Sequence, residues 1–320
     1  MNVLVTGGLG VIGSQVATMF AERGNAVTVI DACEAPRNDW IAKRLPENVV
    51  VLRGRIEDHA DHIKDIVIES DAVVHCAAST GIPYSVVNPE DDWKSNVEAT
   101  RVLLEAVRAH PVPTVVLSSV KPYRVDKLPL SEDAVLDPDE PYAASKAAQS
   151  MLCLAYAHSY GLPVTVFRCS NLFGPAPCHG PRHGWLTWFC ISAVIGRRIE
   201  LQGTGEQTRD MLYSSDVFWA CVNAIQYHEK TGGKVYNLGG GKDNRISLLD
   251  AARYITEQTR TQVIFAEPRA MDDMHVYVSF SAFRKATSWQ PLVSVRAGID
   301  MILKWAYANR EELTSIYQDM

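Results

Sequence analysis

Val3-Leu4-Val5-Thr6-Gly7-Gly8-Leu9-Gly10-Val11-Ile12-Gly13 opens the chain and decides its fold. Val3 to Thr6 reads as a short buried strand, and an amphipathic stretch from Ser14 to Arg23 follows the glycines. Strand, glycine-rich turn and helix start, in that order, are the context of a dinucleotide fingerprint. Gly7 permits the tight turn, Gly10 lets the backbone approach a pyrophosphate, and Gly13 lets helix and strand pack closely. The helix N-terminus offers free N–H groups and the positive end of the helix dipole to phosphates. A second strand, Ala26 to Ile30, ends in Asp31. That is about 20 residues past the motif, where an acid meets ribose hydroxyls.

The chain has 320 residues, enough for about two domains with a sizeable core. Its 31 basic and 37 acidic residues give a net charge of −6. That balance argues against nucleic acid as a partner, because such binders carry a basic face. No window approaches the roughly 18 uninterrupted apolar residues of a membrane span. The N-terminus enters a strand at once, which leaves no room for a signal peptide and predicts a cytoplasmic location. The seven cysteines form no C-x-x-C pair and read as buried free thiols of a reducing compartment. His179 and His183 are four apart, but Gly180-Pro181 breaks any helix between them, so no metal is expected.

Strands are expected at Val3–Thr6, Ala26–Ile30, Val49–Leu52, Ala72–Cys76, Thr114–Ser118 and Pro163–Arg168. Helices are expected near Ile12–Glu22, Asp58–Glu69, Asp91–Ala109 and Tyr142–Ser159. Continuous apolar strands alternating with helices predict a Rossmann-like α/β fold, a doubly wound parallel sheet. The pattern loosens after about Asn171, where Gly174-Pro175-Ala176-Pro177 punctuates the chain. Further elements are expected at Trp185–Ile195, Ile199–Gln202, Ser215–Tyr227 and Lys234–Leu238, with helices after Ser247 and near Val295–Asn309. Residues 1–171 are thus assigned to a dinucleotide-binding domain, with some later segments returning to it. Residues 172–320 form a smaller, partly interleaved α/β substrate domain.

Tyr142 and Lys146 stand four apart at a helix start and share one face. Ser119 ends the fifth strand, where ligands gather in open α/β sheets. Together they make a proton-transfer site beside a nicotinamide. A free tyrosine has a pKa of ~10, so proton exchange near neutrality needs a depression of about 3 units. A neighbouring ammonium and a cationic nicotinamide ring favour the phenolate. The serine hydroxyl can hold the substrate oxygen in line.

From these residues outward the chain resembles the extended short-chain dehydrogenases/reductases, in the nucleotide-sugar epimerase and dehydratase group, over nearly its whole length. Thr6 to Gly13 matches the glycine motif, and Tyr142-Ala143-Ala144-Ser145-Lys146 the catalytic Tyr-x-x-x-Lys. His75-Cys76-Ala77-Ala78 resembles the fourth-strand motif whose small residues line the cofactor, and Asn96 matches a helix asparagine. Arg168 to Pro175 resembles the segment carrying a substrate-contacting asparagine, here Asn171. Gln207-Thr208-Arg209-Asp210 resembles a diphosphate-binding Arg-Asp, and Arg269 matches a later substrate-domain signature. Within the group, Gly184-Trp185-Leu186-Thr187-Trp188-Phe189 and Ser118-Ser119-Val120-Lys121 resemble the CDP-paratose 2-epimerase branch.

The resemblance implies catalysis by Ser119, Tyr142 and Lys146. It implies cofactor contacts from Gly7, Gly10, Val11, Ile12, Gly13, Asp31, Ala77, Ala78, Asn96, Tyr142 and Lys146. Substrate contacts would come from Ser79, Ser119, Asn171, Arg209 and Arg269. Asp31 and Glu34 would repel a 2′-phosphate, which favours NAD over NADP; Arg37 is the counter-evidence. Dehydratases of the group place acids just after the catalytic Ser/Thr, and this chain has Val120 and Lys121 there. The expected activity is therefore epimerisation of a nucleotide-diphosphate sugar by transient oxidation and hydride return, at C2 of a CDP-sugar. The alternatives are a UDP-sugar 4-epimerase, a keto-sugar-nucleotide reductase, and a non-catalytic scaffold. Family members commonly form homodimers through helices corresponding to Asp91–Ala109 and Tyr142–Ser159, with Leu152, Cys153 and Tyr156 as seam candidates.

Two departures mark the sugar and adenine ends of the site. Pro122-Tyr123-Arg124 replaces the usual Val-Tyr-Gly, and Gly54-Arg55-Ile56 replaces Gly-Asp-Ile/Leu, with Asp58 as a substitute near the adenine. Arg168 is read either as a structural ion-pair partner or as a site residue. Trp185, Trp188 and Phe189 lie at helical spacing and read as core.

Overall fold

The computed structural model describes residues 1–32, 35–180, 184–268 and 273–319. The strands are β1 (Asn2–Thr6), β2 (Ala26–Asp31), β3 (Val49–Arg53), β4 (Ala72–His75), β5 (Thr114–Ser119) and β6 (Val164–Cys169), then β7 (Asn171–Phe173), β8 (Ile199–Gln202), β9 (Thr208–Tyr213), β10 (Lys234–Leu238), β11 (Arg245–Ser247), β12 (Val263–Ala266) and β13 (His275–Val276). Seven of them form one all-parallel sheet in the order β10-β6-β5-β4-β1-β2-β3. The strand order reverses between β1 and β4, which places a ligand crevice at their carboxyl ends.

Alternation along each strand explains the layers. Val3 and Val5 of β1 enter one core cluster and Leu4 the other. Likewise Val115 and Leu117 of β5 face one side and Val116 the opposite one. Period-2 side chains that are apolar on both faces require helices on both faces. Each fully buried aliphatic side chain contributes about 1.5–3 kcal/mol.

The helices are α1 (Val11–Ala21), α2 (Pro36–Ala42), α3 (Ile63–Ile68), α4 (Ile82–Val87), α5 (Pro89–Trp93), α6 (Ala99–Ala109) and α7 (Pro141–Tyr160), followed by α8 (Trp185–Val194), α9 (Ser214–Gln226), α10 (His228–Thr231), α11 (Leu248–Thr259), α12 (Ser281–Thr287), α13 (Val295–Ala308) and α14 (Arg310–Ile316). Two expected helices are broken. The stretch Asp58–Glu69 divides into a 3₁₀ turn, Ile56–His59, and α3. Asp58 is the reason: its carboxylate accepts the Arg55 N–H at 2.7 Å and caps the short turn. The stretch Asp91–Ala109 is α5 and α6 joined by a π-turn at Lys94–Glu98.

The chain crosses the boundary at residue 171 repeatedly. Strand β10 completes the large sheet beside β6. Phe218 of α9 and Phe283 of α12 pack in the same core as β1 and β5. The remaining C-terminal strands form two small sheets, β11-β9-β13 with β7 against β9, and β12 with β8. Their core holds Trp188, Phe189, Ile255 and Ile299. Tyr317, just past α14, plugs into this core; its hydroxyl donates to the Cys178 carbonyl at 2.7 Å and accepts the Cys178 N–H at 2.8 Å. No helix among the described residues is long and apolar enough to cross a membrane.

Candidate active site

The glycine turn is built for close approach. Gly7 has φ +67°, and a Cβ there would lie 2.5 Å from the Ala77 nitrogen, so the turn packs against the chain leaving β4. Gly10 is the N-cap of α1, and no side chain caps that end. Its first N–H groups thus face outward at the crevice, and glycine leaves the backbone bare. Asp31 ends β2; its carboxylate accepts the Leu9 N–H at 2.7 Å. Asn38, which sequence reasoning missed, donates to the Leu9 carbonyl at 2.8 Å from the other side. Leu9 is clamped between them, which fixes the turn relative to β2. An uncapped helix end, a bare glycine approach and an acid at the end of β2 fit a dinucleotide.

Ala77, Ala78 and Ser79 follow β4 as half-buried loop residues. Asn96 is fully buried and donates to the Ser79 carbonyl at 3.1 Å and to Ser145 Oγ at 2.9 Å. It joins the loop beside the glycine turn to α7. On the adenine side, Arg55 turns to Asp91 at 2.9 Å and to Ser95 at 2.7 Å. Asp58 is engaged with the Arg55 backbone. Arg37 donates to His179 Nε2 at 2.9 Å. Glu34 and Cys33 lie outside the described residues.

Helix α7 delivers the catalytic candidates. Glu140 is its N-cap, another signal unread in the sequence; its carboxylate accepts the Tyr142 N–H at 2.8 Å and the Ala143 N–H at 3.0 Å. Pro141 occupies the first turn, where its missing N–H costs nothing, and Gly161 ends the helix with φ +65°. Ser119 is the last residue of β5, and its hydroxyl acts on the Tyr142 phenol, drawing its pKa down. The Lys121 N–H donates to Ser119 Oγ at 3.1 Å. Lys146 is 1% exposed and donates to the Leu117 carbonyl at 3.1 Å.

The expected depression of the phenol is reversed within the chain itself. Burial, with Asp92 and Glu140 adding negative charge, pushes Tyr142 up to about 12, while the Ser119 hydroxyl pulls the other way. Burial brings Lys146 down to about 8. The ammonium is spent on a carbonyl of β5 rather than on the phenol.

The substrate candidates divide. Asn171 is half-buried at the start of β7 and accepts the Trp185 indole N–H at 3.4 Å. Arg209 donates to the Asp273 carbonyl at 2.7 Å. Its neighbour Asp210 points inward and accepts the Gly240, Gly241 and Val278 N–H groups at 2.6, 2.9 and 3.0 Å. Asp210 therefore shapes the loops around the site. Arg269 lies outside the described residues, as does His183. Trp188 and Phe189 are core, whereas Trp185 is half-buried beside Asn171.

Arg168 has no ion pair among the described residues, contrary to the ion-pair reading. It is 4% exposed and donates to the Tyr123 hydroxyl at 2.8 Å, with its guanidinium 5.0 Å from the ring centroid. Tyr123 in turn donates to Asn237 at 2.9 Å. The Pro122-Tyr123-Arg124 loop is thereby pinned to β6 and β10. Cys153 is fully buried in the core, so only Leu152 and Tyr156 of the seam candidates reach toward the surface.

Residues 3–239 match the description "NAD dependent epimerase/dehydratase family". The chain belongs to this NAD-dependent family. It is 28% identical to the CDP-paratose 2-epimerase of Salmonella typhi, over 95% of this chain and 99% of that protein. It is 34% identical to the dTDP-glucose 4,6-dehydratase of Mycobacterium tuberculosis, over 91% and 88% of the two chains. Among solved structures, the UDP-glucose 4-epimerase of Thermotoga maritima superposes with a TM-score of 0.86 at 27% identity, covering 98% of this chain and all of that one. Family membership brings NAD as the cofactor, for which the glycine turn and Asp31 are shaped.

Proposed function

We propose that the protein is an NAD-dependent epimerase of a nucleotide-diphosphate sugar, working by transient oxidation and hydride return. The observation that carries this reading is the environment just past Ser119. Val120 is buried in a small cluster with Tyr123, Leu130, Val276 and Val278. Lys121 holds Asp139 at 3.4 Å and Asp273 at 3.7 Å. Glu140 is occupied as a helix cap. No acid stands at the two positions after Ser119, and Asp139, Asp273 and Glu140 are held by a cation or by backbone. This disfavours water elimination, which needs a base at carbon, and leaves redox inversion.

NAD, when bound at the glycine turn, supplies reversible hydride acceptance and a positive ring. Tyr142 accepts the proton of the sugar hydroxyl at its phenol oxygen and returns it after inversion. A phenol held near 12 by the chain needs added positive charge nearby before it can act as a base near neutrality. Ser119 orients the sugar oxygen, and Lys146 underlies both. Arg209, with Arg269, is assigned to the diphosphate, and Asn171 and Ser79 to the sugar. The likeness to the Salmonella typhi protein favours C2 of a CDP-sugar. The Thermotoga maritima likeness supports a 4-epimerase of a UDP-sugar as the second reading. We assign the exposed faces of α6 and α7, including Met151 and Tyr160, to a homodimer seam.

The test is incubation of the pure protein and NAD with UDP-, CDP-, GDP- and dTDP-sugars in heavy water, followed by NMR. Inversion of one sugar without net cofactor consumption supports the reading. A 4-keto-6-deoxy product, or one NADH formed per product, overturns it.

A further inference from the structure

Gly196-Arg197-Arg198 follows α8, Arg260 ends α11, and Arg310 opens α14. Far apart in sequence, the four arginines line one cavity of about 410 Å³, where α8, α11 and α13 end and β8 and β12 begin. No acid lines it, although the chain carries 37 acidic residues to 31 basic. No described residue assigned above to catalysis, cofactor or substrate lines it either. The larger cleft, of about 810 Å³, is different in kind. There Arg245, Arg253 and Arg296 stand among Asp243, Asp250 and Glu257, so cations meet acids.

Cations do belong at helix C-termini, but the charge here exceeds that need. Three helix ends together offer about 1.5 negative charges to four guanidiniums. The end carbonyls are also already occupied. The Arg197 and Arg260 backbone N–H groups donate to the Ser192 and Thr256 carbonyls, both at 2.8 Å, and the Thr261 hydroxyl donates to the Ala193 carbonyl at 3.1 Å. Of the four arginine side chains, Arg197 alone has a protein partner, the Tyr317 carbonyl, which fixes it at the cavity wall. The Arg198, Arg260 and Arg310 guanidiniums make no hydrogen bond or ion pair among the described residues. Arg260 has φ +60°, a left-handed helix end where glycine is favoured. A long cation is thus kept there against the backbone preference.

Four like charges in one concavity repel one another, and its low-dielectric wall focuses their field on an incoming anion. Planar guanidiniums match phosphate oxygens in pairs, and two guanidiniums for each phosphate suit a diphosphate. We propose that this cavity binds a compact polyvalent anion of the diphosphate class, at a site separate from the catalytic crevice. The inference is independent of the reaction assigned above.

The probe is inorganic pyrophosphate, titrated into the NAD-loaded protein labelled with ¹⁵N-arginine. The Nε–Hε signals are followed by NMR and assigned through Arg198→Lys, Arg260→Lys and Arg310→Lys. The Arg198, Arg260 and Arg310 signals should move together and saturate. Arg198→Gln combined with Arg260→Gln removes two side chains that hold nothing in the protein, and the Kd read at Arg310 should rise about tenfold or more. If that pair does not fold, Arg310→Gln is read at Arg198 with the same outcomes. Arg253→Gln combined with Arg296→Gln removes the same charge from the mixed cleft and should leave the Kd within about twofold. Inorganic phosphate should bind about tenfold more weakly than pyrophosphate. Signals that do not saturate, shifts confined to Arg209, equal weakening by the two double variants, or equal affinity for phosphate and pyrophosphate would each overturn the proposal.

Discussion

Ser119, the last residue of β5, acts on Tyr142, in the first turn of α7: its hydroxyl draws the pKa of the buried phenol down against the effect of burial. The strand end and the helix cap on Glu140 set the two residues in place before any ligand arrives. Tyr142→Phe removes the proton carrier and leaves the ring in place, so turnover should fall by about 10³-fold or more while NAD still binds. Ser119→Ala keeps the phenol and should cost less, about 10²-fold. Steady-state kinetics and cofactor titration of both variants check the pair.

Lys121 ties the Ser119 loop to Asp139 and, across the site, to Asp273, whose carbonyl also holds Arg209. Partly exposed ion pairs contribute only about 0.2–1 kcal/mol, so Lys121→Ala should fold normally. Its effect should appear as a raised KM with kcat little changed. Lys121→Glu sets like charges against both aspartates and should be worse. Added salt should partly relieve it, read as KM at low and high ionic strength.

Asp210 gives a pH signature. Burial raises it to about 7 against the pull of three backbone N–H donors. The folded chain therefore holds a proton that the unfolded chain, with a carboxyl near 3.8, has released. The Asp210 contribution to stability is full below about pH 4 and is lost as pH rises through about 7. Asp210→Asn turns an amide donor toward an N–H of Val278 or Gly240, costing about 1–3 kcal/mol. The stability gap between wild type and variant should narrow from pH 4.5 to pH 7.5 in urea titrations.

Asp31 supports the turn, and we assign it to the ribose as well. Asp31→Ala deletes the acceptor of the Leu9 N–H. NAD affinity should fall about tenfold, for one lost charge-assisted hydrogen bond of about 1.5 kcal/mol. Calorimetric titration of NAD and NADP would show it as a loss of preference for NAD over NADP.

The large sheet was readable because its strands are short apolar runs between glycine, proline and helical periods. Val3–Val5 and Val115–Leu117 need only alternation to be placed. The glycine turn, Ser119, Tyr142 and Lys146 were likewise visible in local spacing. What local spacing does not encode is partnership across the fold. Asp92 reads as one acid of three at a helix start, until α7 is seen to bring Ser145 onto it. Glu140 gave a cap only once Tyr142 and Ala143 offered their N–H groups. The inward turn of Asp210 depends on loops at 239–241 and 278, distant in sequence. The broken helices at 58–69 and 91–109 also escaped periodicity, because an acid cap and a π-turn interrupt stretches whose apolar spacing continues.

The most direct test follows one hydrogen. A substrate carrying deuterium on the carbon that inverts is converted by the protein with NAD, and the product is read by NMR. Complete retention of the deuterium at that carbon is the predicted result, because the same hydride leaves and comes back. Loss of the label to solvent would contradict the account and place the chemistry at an acidic carbon instead.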